Sequence, residues 1–192
     1  MIIGITGGTG CGKTTLLDMI QQQGGTVLDC DTIYHQLLET DTALLAAIEN
    51  RFPGTVEKGV LQRKKLGALV FSDKDALADL NKLTHGAVKA AVIRQLTPTP
   101  ELAAIDAIGL FESGLNELCQ LTVAVVAPEE TRIARLMERD GVTRDYALSR
   151  IRAQRPAEEY SGLCDYTLIN DSTKEAFREK CLAFFSESGI MK

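Results

Sequence analysis

Ile2-Ile3-Gly4-Ile5-Thr6-Gly7-Gly8-Thr9-Gly10-Cys11-Gly12-Lys13-Thr14-Thr15-Leu16-Leu17 decides the reading of this chain. Residues 1–6 are a short apolar run that stops at glycines, and Leu16, Leu17 and Ile20 recur at helical spacing over Lys13–Gln23. Between them, Gly7 to Thr14 matches G-x-x-x-x-G-K-[ST] at every fixed position. Strand, glycine loop and helix in that order is the context in which the pattern binds phosphate. Glycines let the backbone turn its N–H groups inward, and the helix N-terminus adds partial positive charge. Gly8, Thr9, Gly10, Cys11, Gly12, Lys13, Thr14 and Thr15 are the expected residues around a Mg²⁺·nucleoside triphosphate. Lys13 would neutralise the β and γ phosphates, and the Thr14 hydroxyl would ligate the metal.

Outward from the loop, Thr26–Leu28 reads as a second strand with Asp29 and Asp31 at its exit. Thr32–Phe52 has one helical period through Ile33, Leu37, Leu38, Leu44, Leu45 and Ile48, and Pro53–Gly59 breaks it. Leu61–Leu96 reads as two or three helices, and Thr97–Pro100 as a turn. The apolar runs Leu102–Ile108 and Leu121–Val126 suit strands covered on both faces. Pro128–Arg139 and Thr143–Gln154 then read as helices, Tyr166–Ile169 as a last strand and Thr173–Phe185 as a closing helix. Strands alternating with helices predict an α/β fold with a parallel sheet flanked by helices, of P-loop type. Strand order is not readable from the pattern.

The bulk numbers narrow the function class. With 192 residues, 45% of them hydrophobic, the chain can bury a sizeable core. A net charge of −5 without a basic run argues against nucleic acid as partner. No apolar run approaches the ~18 residues of a membrane span, and the opening residues lack the charged start of a signal peptide. Five scattered cysteines without a C-x-x-C pair, and only two histidines, indicate neither a disulfide framework nor a zinc site. A reducing cytoplasm is expected.

A phosphate loop names the donor but not the acceptor. Asp106-Ala107-Ile108-Gly109 matches the short D-x-x-G pattern of switch GTPases, yet no N-K-x-D sequence reads guanine anywhere in the chain. Small-molecule kinases place a carboxylate at the exit of the second strand, where Asp29-Cys30-Asp31 sits. Period-two spacing in an extended strand end would aim both carboxylates the same way, and close like charges favour proton transfer. Asp31 is also well placed to cap the helix that follows. Spacing by itself leaves base and cap equally open.

A resemblance runs over the whole chain. Ile5–Thr15, Leu28-Asp29-Cys30-Asp31, Arg63-Lys64-Lys65-Leu66-Gly67-Ala68-Leu69-Val70-Phe71, Leu110-Phe111-Glu112, Arg135–Asp140, Ala153-Gln154 and Ile169-Asn170 follow in the order and spacing of the dephospho-coenzyme A kinases. The sequence resembles that family. The resemblance implies a nucleotide-kinase-like fold with a core, a helical substrate-side region and a lid. It implies ATP-dependent phosphorylation of the ribose 3′-hydroxyl of dephospho-CoA, the last step of coenzyme A synthesis, with ATP and Mg²⁺ required. The corresponding divisions are a core of about 1–31, 101–128 and 164–192, a substrate-side region of about 32–97 and a lid of about 129–160. Cys11 stands where serine is usual in the family, Cys30 where alanine is usual, and Arg132 where glutamine is common.

Within that frame Lys13, Asp31, Arg135 and Arg139 are the expected catalytic residues. Arg132, Arg135 and Arg139 share one helix face by their spacing, either as a solvated face or as lid cations for the transferring phosphate. Asp31, Arg63, His85 and Glu112 are the expected acceptor-binding residues, and Thr14 the expected metal ligand. Asp106 is a candidate to organise Mg²⁺ waters, and Gln154 and Asn170 to border the nucleotide base. Cys11, at a helix N-terminus beside Lys13, is expected to be a reactive thiol.

Overall fold

The computed structural model describes residues 1–190. Two compact units divide the chain: unit 1 comprises Met1–Leu28, Pro100–Phe111 and the chain from Leu115 onward, and unit 2 comprises Asp29–Thr99 with Glu112–Gly114.

Unit 1 is built on a five-stranded sheet. Its strands are β1 (Ile2–Thr6), β2 (Thr26–Asp29), β5 (Ala103–Asp106), β6 (Leu121–Val126) and β7 (Tyr166–Ile169), in the spatial order β2-β5-β1-β6-β7. β1 lies at the centre, parallel to β5 with Ile3 opposite Ala104 and parallel to β6 with Ile5 opposite Val123. β6 runs parallel to β7, with Val125 opposite Leu168. Ile3 and Ile5 point to one face, where they pack with Leu16 and Ile20 of α1 (Lys13–Gln22) and with Phe177, Phe184 and Phe185 of α9 (Lys174–Glu187). Full burial of each such side chain is worth about 1.5–3 kcal/mol. Gly4 faces the other way, under a short 3₁₀ turn at Leu115–Leu118; a Cβ there would meet Leu110 Cδ2 and Cys119 Sγ at 2.8 Å. Both faces are therefore covered, which is why these strands read as unbroken apolar runs.

The remaining helices of unit 1 are α6 (Glu129–Asp140), α7 (Arg144–Arg152) and α8 (Ala157–Leu163). α6 and α7 share a small core of Ile133, Leu136, Ala147 and Ile151. α8 was not expected; its buried Tyr160 packs on Ala124 and Val126 of β6. Seven residues with a single buried anchor are too few to show a helical period.

Unit 2 is helical, with α2 (Cys30–Thr40), α3 (Thr42–Arg51) and α4 (Arg63–Val70) all packed on the long α5 (Lys74–Gln95). The expected single helix over Thr32–Phe52 is two helices. Asp41 is extended at φ −84° and ψ 97°, and its carboxylate accepts from the Ala43 and Leu44 N–H groups at 3.0 and 2.9 Å. A local acceptor thus starts a second helix without interrupting the apolar period. A hairpin was also missed. β3 (Val56–Glu57) pairs antiparallel with β4 (Val60–Leu61) across Lys58-Gly59, which have φ of 51° and 78°. Two residues per strand leave no alternation to detect, although positive φ at both turn residues suits a hairpin. The described helices include none long and apolar enough to cross a membrane.

Candidate active site

The C-terminal end of the central strand is where ligands bind in open α/β sheets, and β1 runs there into the phosphate loop. The chain needs glycine for close approach at two points in particular. Gly7 has φ 140°, and a Cβ on it would lie 2.1 Å from the Val125 carbonyl oxygen of β6. Gly12, at φ 90°, would put a Cβ 2.3 Å from Asn170 Nδ2. Beyond it α1 starts without any side-chain cap, and helix geometry leaves the Lys13 and Thr14 N–H groups without intrahelical acceptors. The Thr15 N–H bonds back to the Gly12 carbonyl at 3.2 Å.

Lys13 folds back over the loop. Its Nζ donates to the Gly7 carbonyl at 2.9 Å and stands 3.9 Å from Asp106 Oδ1, at the end of β5. Thr14 is exposed in the first turn of α1. A hydroxyl and a carboxylate are hard oxygen donors of the kind Mg²⁺ takes when most of its shell is phosphate and water. Among the described residues no group of three or more His, Cys, Asp or Glu side chains could hold a metal by itself.

The loop is also held from outside. Arg132 Nε donates to the Thr9 carbonyl at 2.8 Å and Nη2 to Gln154 Oε1 at 3.2 Å, while Gln154 Oε1 also accepts from the Thr9 N–H at 2.8 Å. Arg135 Nη1 reaches the Gly10 and Cys11 carbonyls at 3.3 and 3.4 Å, and its Nη2 donates to Asn170 Oδ1 at 3.0 Å. Asn170 Nδ2 donates to the Cys11 carbonyl at 2.9 Å. Arg132 and Asn170 are only 5% and 4% exposed. Arg132, Arg135, Gln154 and Asn170 thus grip the loop backbone, a job that their spacing along the chain did not suggest.

Arg139 takes a different partner. Its Nε and Nη2 form a fork on the carboxylate of Asp140, at 2.6 and 2.9 Å, and Arg150 Nη1 of α7 adds a bond to Asp140 Oδ2 at 2.8 Å. The Arg139 hydrogen bonds, supported by those of Arg150, hold the Asp140 carboxyl down to about 2. Asp140 was missed as a partner, though it adjoins Arg139 in the chain.

Cys11 is corrected by the structure. Its side chain is 2% exposed and belongs to the apolar cluster of Ile3, Leu16 and Phe185. The loop turns its backbone toward the site and its thiol into the core, so the expected reactive thiol is shielded.

In unit 2, Asp29 rather than Asp31 caps α2. Its carboxylate accepts from the Asp31 and Thr32 N–H groups at 2.9 and 3.1 Å and from the Thr32 hydroxyl at 2.9 Å. Asp31 is left in the first turn with its side chain 86% exposed, and Oδ2 lies 3.8 Å from His35 Nε2. His35 was overlooked, although it stands four residues on, the spacing of helix-surface neighbours. Half-buried Tyr34 has its phenol pushed up by burial, eased by the charge of Arg63 and raised again by Asp31. Asp31, Tyr34, His35 and Arg63 therefore share one neighbourhood, with Arg63 Nη2 3.4 Å from Glu39 Oε1. His85 lies half-buried midway along α5, and Glu112 is exposed in the short 112–114 segment of this unit.

The chain is similar to known proteins over nearly its whole length. The family model described as dephospho-CoA kinase matches residues 1–176. A dephospho-CoA kinase of Carboxydothermus hydrogenoformans is 34% identical over 97% of this chain and 93% of its own. A solved structure from Thermus thermophilus is similar at a TM-score of 0.80 and 34% identity, covering 97% of both chains. A solved dephospho-CoA kinase from Campylobacter jejuni is similar at a TM-score of 0.70 and 26% identity, covering 99% of this chain and 98% of that one.

Proposed function

The chain belongs to the dephospho-CoA kinase family, and from that premise we infer that its reaction, ATP-dependent phosphorylation of dephospho-CoA in coenzyme A biosynthesis, runs on the phosphate loop of unit 1. The observation that carries this is the loop itself, with glycines at strained positions and Lys13 already folded over its mouth.

The inward N–H groups of Gly10 and Gly12 and the first-turn N–H groups of Lys13 and Thr14 bind the β and γ phosphates. Lys13 exchanges the Gly7 carbonyl for phosphate oxygens and balances the charge that builds on the leaving bridge oxygen. Asp31 orients the ribose 3′-hydroxyl and takes its proton as the 3′-oxygen attacks phosphorus. The bond from phosphorus to the β–γ bridge oxygen breaks, and ADP leaves. The Thr14 hydroxyl and the Asp106 carboxylate would hold Mg²⁺, which would supply charge neutralisation on the phosphates. Arg139 is the lid cation for the transferring group, which it reaches by leaving Asp140. Arg63, His85 and Glu112 contact the acceptor, Arg63 through its phosphates. Five free cysteines fit a reducing compartment, and we place the enzyme in the cytoplasm.

The test is product analysis. Purified protein with MgATP should add one phosphate to dephospho-CoA far faster than to nucleoside monophosphates, shikimate or gluconate. A clear preference for one of those acceptors, read by mass spectrometry, overturns the acceptor while leaving the phosphate loop intact.

A further inference from the structure

We propose that Arg132 and Gln154 are positioning residues that preset the phosphate loop for nucleotide. A trans peptide points its C=O and N–H to opposite sides, so the direction of each loop carbonyl sets the direction of the next N–H. The Thr9, Gly10 and Cys11 carbonyls are drawn outward by Arg132, Arg135 and Asn170. The N–H groups of Gly10, Cys11 and Gly12 are thereby turned inward. That of Cys11 crosses to the Gly8 carbonyl at 3.3 Å, and on the phosphate-loop reading those of Gly10 and Gly12 are the ones turned to phosphate oxygens.

Thr9 is the best-held point, because both sides of its backbone are engaged: the carbonyl by Arg132 and the N–H by Gln154, which also binds Arg132. The three residues form a closed ring of hydrogen bonds, two of them donated by a guanidinium and so stronger than neutral ones. The glycines fit this collar. A Cβ on Gly8 would lie 2.2 Å from Arg132 Nη2, and one on Gly10 would lie 3.0 Å from the Arg132 backbone oxygen.

Charge gives a second line of support. Arg132 is 5% exposed, and both of the acceptors named for it are neutral oxygens. A buried cation whose named acceptors are neutral oxygens adds positive potential over the loop and favours a polyphosphate there. Arg132 thus acts on nucleotide through the loop and at a distance, whereas Lys13 touches it.

The inference rests on the phosphate-loop reading, so nucleotide binding is measured directly, without acceptor, by calorimetric titration of MgATP into the free enzyme. Wild-type protein that binds no MgATP overturns the phosphate-loop reading itself. Given binding, Arg132→Met and Gln154→Leu should each weaken MgATP affinity by about 10- to 100-fold, the scale of losing hydrogen bonds to a charged group. The KM for dephospho-CoA at saturating MgATP should stay within about twofold of wild type, a split that a general loss of folding would not produce. Because the two residues act through one ring, the double variant should be little worse than the weaker-binding single variant. Gly8→Ala keeps Arg132 in the sequence but forces its guanidinium off the loop, since the new Cβ would lie 2.2 Å from Nη2; it should weaken MgATP in the same direction, and serves if Arg132→Met does not fold. Folded Arg132→Met or Gly8→Ala protein that binds MgATP as wild type does, or losses that multiply in the double variant, overturn the proposal.

Discussion

Lys13 Nζ stands 3.9 Å from the carboxylate of Asp106, with the two side chains only 13% and 19% exposed. The pair joins the first residue of α1 to the last residue of β5 and, with the bond to Gly7, fixes the ammonium over the loop before any phosphate arrives. Preset charge is what electrostatic catalysis requires, since no reorganisation is left for the reaction step. Lys13→Ala should weaken MgATP affinity and lower turnover together, the latter by about 10²–10³-fold. Calorimetry and steady-state rates measure the two effects separately; normal affinity in a folded Lys13→Ala protein would remove Lys13 from the donor site.

Asp29 and Asp31 should separate by substitution. Asp29 is the N-cap of α2, so Asp29→Ala should lower stability by about 0.5–2 kcal/mol, and Asp29→Asn should restore most of it. Asp31 caps nothing, so Asp31→Asn should leave the melting temperature unchanged while turnover falls by about 10²–10⁴-fold, the range of a positioned base. If Asp29→Asn harms turnover more than Asp31→Asn, the base is the other carboxylate.

Thiol labelling tests the burial of Cys11. Burial pushes the Cys164 thiol up to about 11 and the Cys119 thiol up to about 12. Only the thiolate attacks an alkylating reagent, so at pH 8 roughly one Cys164 in 10³ is reactive. Native protein should label slowly at pH 8 and faster as pH rises toward 11, with Cys11 silent throughout and all five cysteines reacting once unfolded. Rapid native labelling of Cys11, blocked by MgATP, would show that the thiol faces the site.

The fork on Asp140 predicts an acid response. The carboxyl titrates at about 2 when folded, against roughly 3.9 in an unfolded chain. A lowered folded pKa gives stability that is complete above about pH 4 and is lost as pH falls through 2. Amide protection in α6 and α7, taken relative to the intrinsic exchange rate at each pH, should therefore fall over that interval, because Asp140 ties Arg139 of one helix to Arg150 of the other. Asp140→Asn should flatten the response, and high salt should weaken it, as expected for a solvent-facing pair. An unchanged acid profile in Asp140→Asn would show that the fork carries no load.

By itself the sequence determined the features whose physics is local. Gly7, Gly12 and Lys13 lie within seven consecutive residues, and the strand before them and the helix after them have their own periods, so the phosphate loop and the parallel α/β class were both legible. Whole-chain resemblance added the family, since many weak pieces in fixed order are specific together. Tertiary structure decided what depends on residues distant in the chain. Arg132 meets Thr9 across 123 residues, Gln154 meets it across 145, and Asn170 meets Cys11 across 159. No local spacing encodes those meetings; they follow from β1 pairing with β6 and β6 with β7, an order that apolar runs do not specify. The same holds for Asp31, for which spacing left base and helix cap equally open. Which carboxylate capped α2 depended on where the strand ended and the helix began, and the backbone ended β2 at Asp29. Cys11 makes the point at a single residue: its neighbours in sequence surround it with a helix N-terminus and a lysine, but in space it belongs to the buried apolar cluster that includes Ile3, Leu16 and Phe185. Reactivity follows solvent access, and only the packed core sets that.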